Sequence, residues 1–210
     1  MKTAKLLRGV MLSCCLLLSA SASAATMEKP LPSDSVYQLP LVLIDQDGKG
    51  FDWRTRRGEP QLVTMFYTAC PYMCPLIVDA GKSIEKSLTP AQRDGLQLLF
   101  ISMDPGNDTP SALMGQVTKR KLDTTRWTLA SPQEKDVASA AGVLGVRYRK
   151  LANVDFNHTG ELILLDRDGR IVARTEKIGS KPDPEFLAAV QQAINIPLPI
   201  PNVKPTETSR

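Results

Sequence analysis

The stretch from residue 62 to residue 88 limits what this chain can fold into. An apolar run, Leu62–Phe66, is followed by the turn Cys70-Pro71-Tyr72-Met73-Cys74-Pro75 and then by an amphipathic segment, Leu76–Leu88. The first run has the length and character of a buried strand, and the last segment has the periodicity of a helix. Proline suits the first helical turn, because the N–H group that it lacks would have no partner there. The sequence therefore predicts a strand, a tight turn that carries two thiols, and a helix.

The two cysteines of this turn, Cys70 and Cys74, are spaced for chemistry. Residues four apart on a helical turn lie on one face. The positive end of a helix dipole lowers the pKa of a nearby thiol, so thiolates become available as soft metal ligands or as redox nucleophiles. The alternatives are an inert buried pair or a local disulfide. A disulfide would close a very small loop, so its contribution to stability through chain entropy would be small.

Residues 1–24 have the pattern of a secretory signal peptide. Three cations precede a short apolar run, Val10–Leu18, and the small residues Ala22-Ser23-Ala24 form a cleavage site. The apolar run is short for a membrane span. Leu12–Cys15 loosely resembles a lipid-attachment signal, so a lipidated or uncleaved N-terminus, which would attach the protein to the membrane, is the alternative. We expect an exported or periplasmic protein that keeps two of its four cysteines and meets an oxidising compartment.

Composition indicates one globular domain. The chain has 210 residues, of which 42% are hydrophobic and 23% are charged. The formal net charge of +4 falls to +1 when the three cations of the signal region are removed. No group of Lys and Arg residues is interleaved with aromatic residues, so nothing indicates a nucleic-acid partner. We divide the chain into a signal peptide (1–24), a flexible lead or surface-packed tail (25–38), one domain (39–196) and a proline-rich tail (197–210).

The rest of the pattern alternates strands and helices. It predicts an α/β three-layer sandwich with a mixed central sheet, with the cysteines at the carboxyl end of a central strand, where open α/β sheets usually place their sites. The other expected elements are an N-terminal hairpin (41–44 and 51–53), a central strand (96–102), a helix after Thr109 (111–122), a short edge strand (127–129), a helix opened by a capping box (Ser131–Glu134), a loop (152–157) that delivers His158, a second hairpin (161–165 and 170–174) and a final helix ending near residue 195.

His158 is the only histidine in the sequence. A lone histidine is most often an ordinary structural residue, but two thiolates and one imidazole together form a soft site that suits copper. Zinc is the alternative metal, although three protein ligands would leave it an open position. Spacing alone does not bring His158 to the cysteines. That contact requires the hairpin beginning at Glu161 to lie beside the strand ending at Phe66.

Three segments resemble the Sco/SenC family. Cys70–Pro75 resembles its Cys-Pro-x-x-Cys-Pro signature, and Phe100–Pro110 resembles its strand with an Asp-Pro-x-x-Asp-Thr-Pro loop. Phe156–Thr159, followed by an apolar strand and Asp168-Gly169, is similar to its His-Thr segment. The three matches occur in the order of the family and extend over residues 35–195.

The resemblance implies a thioredoxin-like fold with an added N-terminal β-hairpin, and copper bound by Cys70, Cys74 and His158. It also implies delivery of copper to the dinuclear copper centre of cytochrome c oxidase, or reduction of the cysteines of that centre, with an oxidase subunit as partner. Two departures remove negative charge beside the site: Tyr72-Met73 stands where the family often has Asp and an aliphatic residue, and Asn157 stands where it often has Asp. These changes are expected to bear on copper affinity, redox potential or partner choice.

A second hypothesis is an enzyme, a thiol–disulfide oxidoreductase, or a redox sensor that closes a Cys70–Cys74 disulfide. The three-residue spacing between the cysteines differs from the usual two, and Asn157-His158-Thr159 stands where thioredoxin-type reductases tend to have proline. A peroxiredoxin-like peroxidase is the weakest alternative, because its catalytic pattern is absent. We expect the rim of the site to be shaped by Tyr67, Tyr72 and Met73. We interpret two nearby carboxylates, Asp104 and Asp108, as loop caps rather than ligands.

Overall fold

The computed structural model describes residues 30–151 and 156–195. Its elements, in chain order, are β1 (Val42–Asp45), β2 (Gly50–Asp52), β3 (Gln61–Phe66), α1 (Met73–Ser87), α2 (Pro90–Asp94), β4 (Gln97–Ser102), α3 (Pro110–Arg120), β5 (Trp127–Pro132), α4 (Val137–Leu144), β6 (Tyr148–Lys150), β7 (Phe156–His158), β8 (Leu162–Leu165), β9 (Ile171–Thr175) and α5 (Pro184–Asn195). Across these two ranges, none of the helices combines the length and apolar character needed to cross a membrane. The predicted signal peptide and proline-rich tail lie outside the described residues.

A seven-stranded mixed sheet forms the core, with the strand order β2-β1-β5-β4-β3-β8-β9. β4 pairs in parallel with β3 and with β5, while the outer pairings are antiparallel. Every residue of β3 and of β5 is buried, so both faces of the central sheet are covered, as expected for parallel strands in α/β proteins. The predicted α/β fold and both predicted hairpins are confirmed.

The second hairpin lies where the metal hypothesis requires it. β8 pairs antiparallel with β3, and Val63 lies opposite Ile163. The segment that precedes β8 is therefore brought to the carboxyl end of β3, where the cysteine turn begins. β6 and β7 form a separate two-stranded sheet, in which Tyr148 lies opposite His158. His158 is thus the last residue of a short strand, whereas we had expected it to lie in a loop.

Two predictions around β5 are wrong. The strand is not at an edge, because it lies between β1 and β4. It also continues to Pro132, so Ser131 is a strand residue opposite Ile44 and does not open a capping box. The helix begins only at Val137, after a short 3-10 turn. Pairing with β1, which is distant in sequence, overrides the local helix-start signal.

The described part of the N-terminal lead is packed rather than flexible. Val36 and Tyr37 are buried, and the backbone N–H of Val36 donates to the carbonyl oxygen of Gly169 at 2.9 Å. The side-chain amide of Gln61 donates to the Tyr37 hydroxyl. Residues 35–38 therefore form part of the domain, which fits the surface-packed alternative.

Helix α1, which presents Cys74, is held against the sheet at two points. A Cβ atom on Gly81 would lie 2.7 Å from Cη2 of Trp127, so only glycine allows this close approach. One turn further on, the Glu85 carboxylate accepts hydrogen bonds from Trp127 Nε1 at 2.7 Å and from Arg126 Nε at 2.9 Å. The position of the helix, and with it that of Cys74, is fixed relative to β5.

Candidate metal centre

The cysteine turn joins the carboxyl end of β3 to α1. The backbone N–H of Cys70 donates to the carbonyl oxygen of Tyr67 at 3.3 Å, which closes the turn. Helix α1 begins at Met73, three residues earlier than predicted, so Cys74 lies in its first turn. The N-cap residue, Tyr72, makes no side-chain capping bond. Instead, the Cys70 sulfur accepts the N–H of Cys74 at 3.3 Å and so satisfies one of the donors that a helix start leaves open.

His158 reaches the cysteines from the β6–β7 ribbon. The backbone N–H of Thr159 donates to the carbonyl oxygen of Arg147 at 2.9 Å, which extends the ribbon past the histidine. The ring of Tyr67 meets the imidazole edge to face, with centroids 6.0 Å apart. The Tyr67 hydroxyl also accepts the N–H of Phe156 at 3.4 Å. One tyrosine that follows β3 therefore contacts both the histidine and the strand that carries it.

The three predicted metal ligands converge. The Sγ atoms of Cys70 and Cys74 and a ring nitrogen of His158 all lie within 4.8 Å of one another. Two thiolates on opposite sides of one ion, at metal–sulfur distances of about 2.3 Å, would be about 4.6 Å apart. Small side-chain movements therefore suffice for all three atoms to hold one ion. Both thiols are free in this structure, so the disulfide remains a prediction.

The histidine tautomer fits metal binding. Nδ1 of His158 lies 3.0 Å from the carbonyl oxygen of Thr159. A carbonyl oxygen only accepts hydrogen bonds, so Nδ1 carries the proton and Nε2 keeps a free lone pair. A ligating histidine in a protein commonly has its second ring nitrogen held in this way. The donor set is therefore two sulfurs and one neutral imidazole nitrogen, which matches the preference of copper.

The two thiols differ in acidity. The hydrogen bond from the Cys74 thiol, helped by backbone N–H groups, lowers the pKa of Cys70 to about 3, although partial burial opposes this. The same hydrogen bond, together with burial, raises the pKa of Cys74. The reduced, metal-free site therefore holds one thiolate at the half-buried position and one thiol at the buried position. Binding of a metal by both sulfurs then releases one proton from Cys74.

Asp108 braces the cysteine turn. Its carboxylate accepts hydrogen bonds from the backbone N–H of Thr68, at 3.0 Å and 3.2 Å, from the Thr68 hydroxyl and from the Ser102 hydroxyl. The backbone carbonyl oxygen of Asp108 accepts a hydrogen bond from the Ser131 hydroxyl at 2.7 Å. Burial raises the pKa of this carboxyl group, while the hydrogen bonds oppose that effect. These hydrogen bonds fit the interpretation of Asp108 as a loop-capping residue.

The bracing partners Thr68, Ser102 and Ser131 were not identified in the sequence. Their positions in the sequence could have indicated this role, because each is a polar residue at or just beyond the end of an apolar strand. Their common partner could not be read from spacing, because β3, β4 and β5 come together only through the sheet. Asp104, the second carboxylate of the loop, accepts a hydrogen bond from the Asn107 side chain at 2.8 Å, which is also a capping contact.

The rim of the site is exposed and apolar. Tyr72 is 81% exposed, Leu76 45% and Met73 38%. A cleft of about 350 Å³, which we call the thiol cleft, is lined by Cys70, Tyr72, Met73, Leu151, Phe156 and His158, among others. The exposed edge of Cys70 therefore opens onto an apolar surface that also presents the histidine.

Comparison with known proteins agrees with this geometry. The SCO1/SenC family model matches residues 31–195. An SCO2-like protein of Rickettsia typhi is 30% identical over 160 residues, which cover 71% of this chain and 78% of that protein. A Stutzerimonas stutzeri protein, named as a candidate copper-binding protein, is 27% identical over 132 residues, which cover 62% of this chain and 65% of that protein.

A solved structure gives the same fold. The structure of Bradyrhizobium japonicum ScoI, determined with copper bound, superimposes with a TM-score of 0.62 at 26% identity and covers 74% of this chain and 98% of that one. The mixed sheet and the interleaved helices described above are thus those of Sco thioredoxin-like structures. The metal in that structure is the metal expected here from the donor set.

Proposed function

The chain belongs to the SCO1/SenC family, and we propose that it is an exported copper-binding protein that serves the dinuclear copper centre of cytochrome c oxidase. It either delivers copper to that centre or keeps the cysteines of the centre reduced. The observation that carries this proposal is the convergence of Cys70, Cys74 and His158 within 4.8 Å. The partner is a subunit of the oxidase, and the protein acts in the periplasm or an equivalent exported compartment.

In this proposal copper is the cargo, and the chain supplies a site that can be both filled and emptied. Cys74 is buried, whereas Cys70 and His158 are half-buried and face the thiol cleft. Thiols of an acceptor protein can therefore approach from the Cys70 side and exchange with it as ligands. The exposed apolar rim of Tyr72 and Leu76 offers a surface on which such an acceptor can dock.

Removal of the histidine tests the proposal. The chain from residue 25 onward is reduced and given one equivalent of Cu(II), and its visible spectrum is compared with that of His158→Ala. We expect a sulfur-to-copper charge-transfer band that is lost or shifted in the variant. Arg149→Ala is the control, because Arg149 is an exposed residue of β6 outside the donor set. Failure of the unmodified chain to form a stable coloured complex, with the cysteines simply oxidised, would refute the copper proposal.

The alternative function, a thiol–disulfide oxidoreductase or redox sensor, is favoured by the unequal acidity of the two thiols. A thiolate at Cys70 can attack a disulfide of a partner, and Cys74 can then displace the partner from the mixed disulfide. The two thiols of this chain become one disulfide as the partner disulfide becomes two thiols, so electrons and protons balance. His158→Ala separates the functions, because a reductase should largely retain activity whereas a copper site should lose Cu(II) binding.

Export is tested at the N-terminus. If residues 1–24 are a cleaved signal peptide, the protein recovered from the cell envelope begins at Ala25. Edman sequencing or intact-mass measurement decides this. A mass that retains the signal region, or one increased by a lipid, would instead indicate a membrane-attached protein.

A further inference from the structure

Met73 stands between two clefts that His158 also lines. One is the thiol cleft, which contains Cys70 as well. The second, of about 550 Å³, is lined by Met73, Tyr148, Asn157, His158 and Gly160, among others, and we call it the histidine cleft. Met73 is the first residue of α1 and immediately precedes Cys74. Met73 therefore shares one cleft with both Cys70 and His158 and a second cleft with His158.

The methionine side chain packs onto the segment that carries the histidine. A Cβ atom built on Gly160 would lie 2.7 Å from Met73 Sδ and 2.7 Å from Met73 Cγ. Gly160 follows His158 by two residues, so the thioether rests on backbone next to the imidazole. A larger residue at this position would displace the sulfur from its present place.

We propose that the thioether of Met73 is a further ligand for copper at this site and that it favours Cu(I) over Cu(II). The inference rests on the proposed function, since it adds a donor to the same centre. A thioether is a soft, uncharged ligand, and soft ligands select Cu(I). Methionine is also unbranched and flexible, so its sulfur can move from Gly160 toward the ligand atoms without a change in the backbone. The cluster Cys70, Cys74 and His158 thereby gains a fourth, exposed donor at its rim.

Packing alone does not account for Met73 well. The side chain is 38% exposed and stands at a helix start, where it covers no large part of the core. Leucine would fill a similar volume and would pack as well. A packing role and a ligand role for Met73 therefore differ in what the sulfur atom does. Met73→Leu removes the sulfur and keeps the apolar bulk of the side chain.

The main experiment measures Cu(I) and Cu(II) affinities of the full chain, purified as its host processes it, by competition with chromophoric chelators of each ion. For Met73→Leu we expect Cu(I) affinity to fall by about tenfold, because a soft donor is lost, and Cu(II) affinity to stay within about twofold. A tenfold preferential loss lowers the Cu(II)/Cu(I) potential by about 59 mV for a one-electron couple. Met114→Leu is the matched control, because Met114 lies on α3 against the core and away from both clefts.

A second measurement detects the sulfur directly. The protein is exposed to hydrogen peroxide with and without Ag(I), a soft ion that mimics Cu(I) without its redox chemistry, and sulfoxide formation is followed by peptide mass spectrometry. Ag(I) should protect Met73 and leave Met114 unaffected. Urea midpoints of the variants verify that each one folds.

The outcomes separate this inference from the proposed function. Equal Cu(I) affinities for the unmodified chain and Met73→Leu, with no protection by Ag(I), would overturn the ligand role of Met73 and leave the copper site of two cysteines and one histidine intact. If the unmodified chain binds neither Cu(I) nor Cu(II) stably, the proposed function itself fails, and the role of Met73 fails with it.

Discussion

His158 donates through Nδ1 to the carbonyl oxygen of Thr159, 3.0 Å away. The carbonyl group belongs to the next residue of the same chain, so the orientation of the ring is set locally, as soon as the β6–β7 ribbon forms. The lone pair of Nε2 is thereby directed away from the backbone. The site is thus prepared for a ligand before any metal arrives.

This relationship predicts the tautomer of the imidazole. In the reduced, metal-free protein we expect the neutral ring to carry its proton on Nδ1. Two-dimensional ¹⁵N–¹H correlation NMR distinguishes the two tautomers, and because the sequence contains one histidine, no assignment step is needed. Addition of Ag(I) should then shift the Nε2 resonance much more than the Nδ1 resonance. A spectrum of the Nε2–H tautomer would contradict the arrangement described here.

Neither cysteine should show the pH-dependent reactivity of an ordinary thiol. The pKa of Cys70 is lowered to about 3, so its thiolate persists as the pH falls from neutrality toward about 5. An unperturbed thiol with a pKa of about 8.5 would lose reactivity by almost tenfold per pH unit over this range. We therefore expect the rate of iodoacetamide reaction at Cys70 to change by less than about twofold over that range. Cys74, with a raised pKa and a buried sulfur, should react slowly throughout.

Cys74→Ala is the informative variant for this experiment. Because the hydrogen bond from Cys74 is the largest cause of the lowered pKa at Cys70, removal of this donor should raise that pKa. The alkylation rate at acidic pH should then fall. If Cys70 reacts at the same rate in both proteins, its acidity has another origin, such as the helix dipole.

Removal of the Asp108 side chain should loosen the cysteine turn. Asp108→Ala leaves the Thr68 N–H and the Thr68 and Ser102 hydroxyls without their buried acceptor. We expect a loss of about 3 kcal/mol in the free energy of unfolding, because unsatisfied buried donors are costly. Asp108→Asn keeps one acceptor oxygen and should lose less. Urea unfolding measures both, and Asp94→Asn, at an exposed position of α2, should change stability by less than about 0.5 kcal/mol.

Two helical glycines should respond oppositely to alanine. A Cβ atom on Gly81 would lie 2.7 Å from Trp127 and 3.2 Å from Leu98. Gly81→Ala should therefore destabilise the protein by about 1–3 kcal/mol through overpacking. A Cβ atom on Gly115, within α3, would meet nothing within 4 Å. Gly115→Ala should stabilise by up to about 1 kcal/mol, because alanine is the better helix former. Thermal or urea unfolding measures both variants. A neutral effect of Gly81→Ala would contradict the close packing of α1 against Trp127.

Much of the fold follows from local patterns. The apolar runs at β3 and β4, the hairpin signals, and the Thr109 cap before Pro110 each identify an element from its own residues, and the cap bond from Ala112 N–H to Thr109 Oγ1 is present at 3.3 Å. The errors occur where distant strands pair. β5 was expected at an edge, but pairing with β1 on one side and β4 on the other lengthens it and makes it interior. A partner distant in sequence leaves no mark in the local pattern.

The sequence by itself determined which atoms could bind a metal, because donor chemistry belongs to the residue types Cys70, Cys74 and His158. It also determined that two of these donors are four residues apart at the junction of a strand and a helix. Only the tertiary structure decided that the third donor joins them, because that depends on the antiparallel pairing of β8 with β3. Folding likewise decided three further features: the acidity of Cys70, the hydrogen bonds from Thr68 to Asp108, and the packing of Met73 on Gly160. Each depends on burial and on contacts between segments that only the assembled domain brings together.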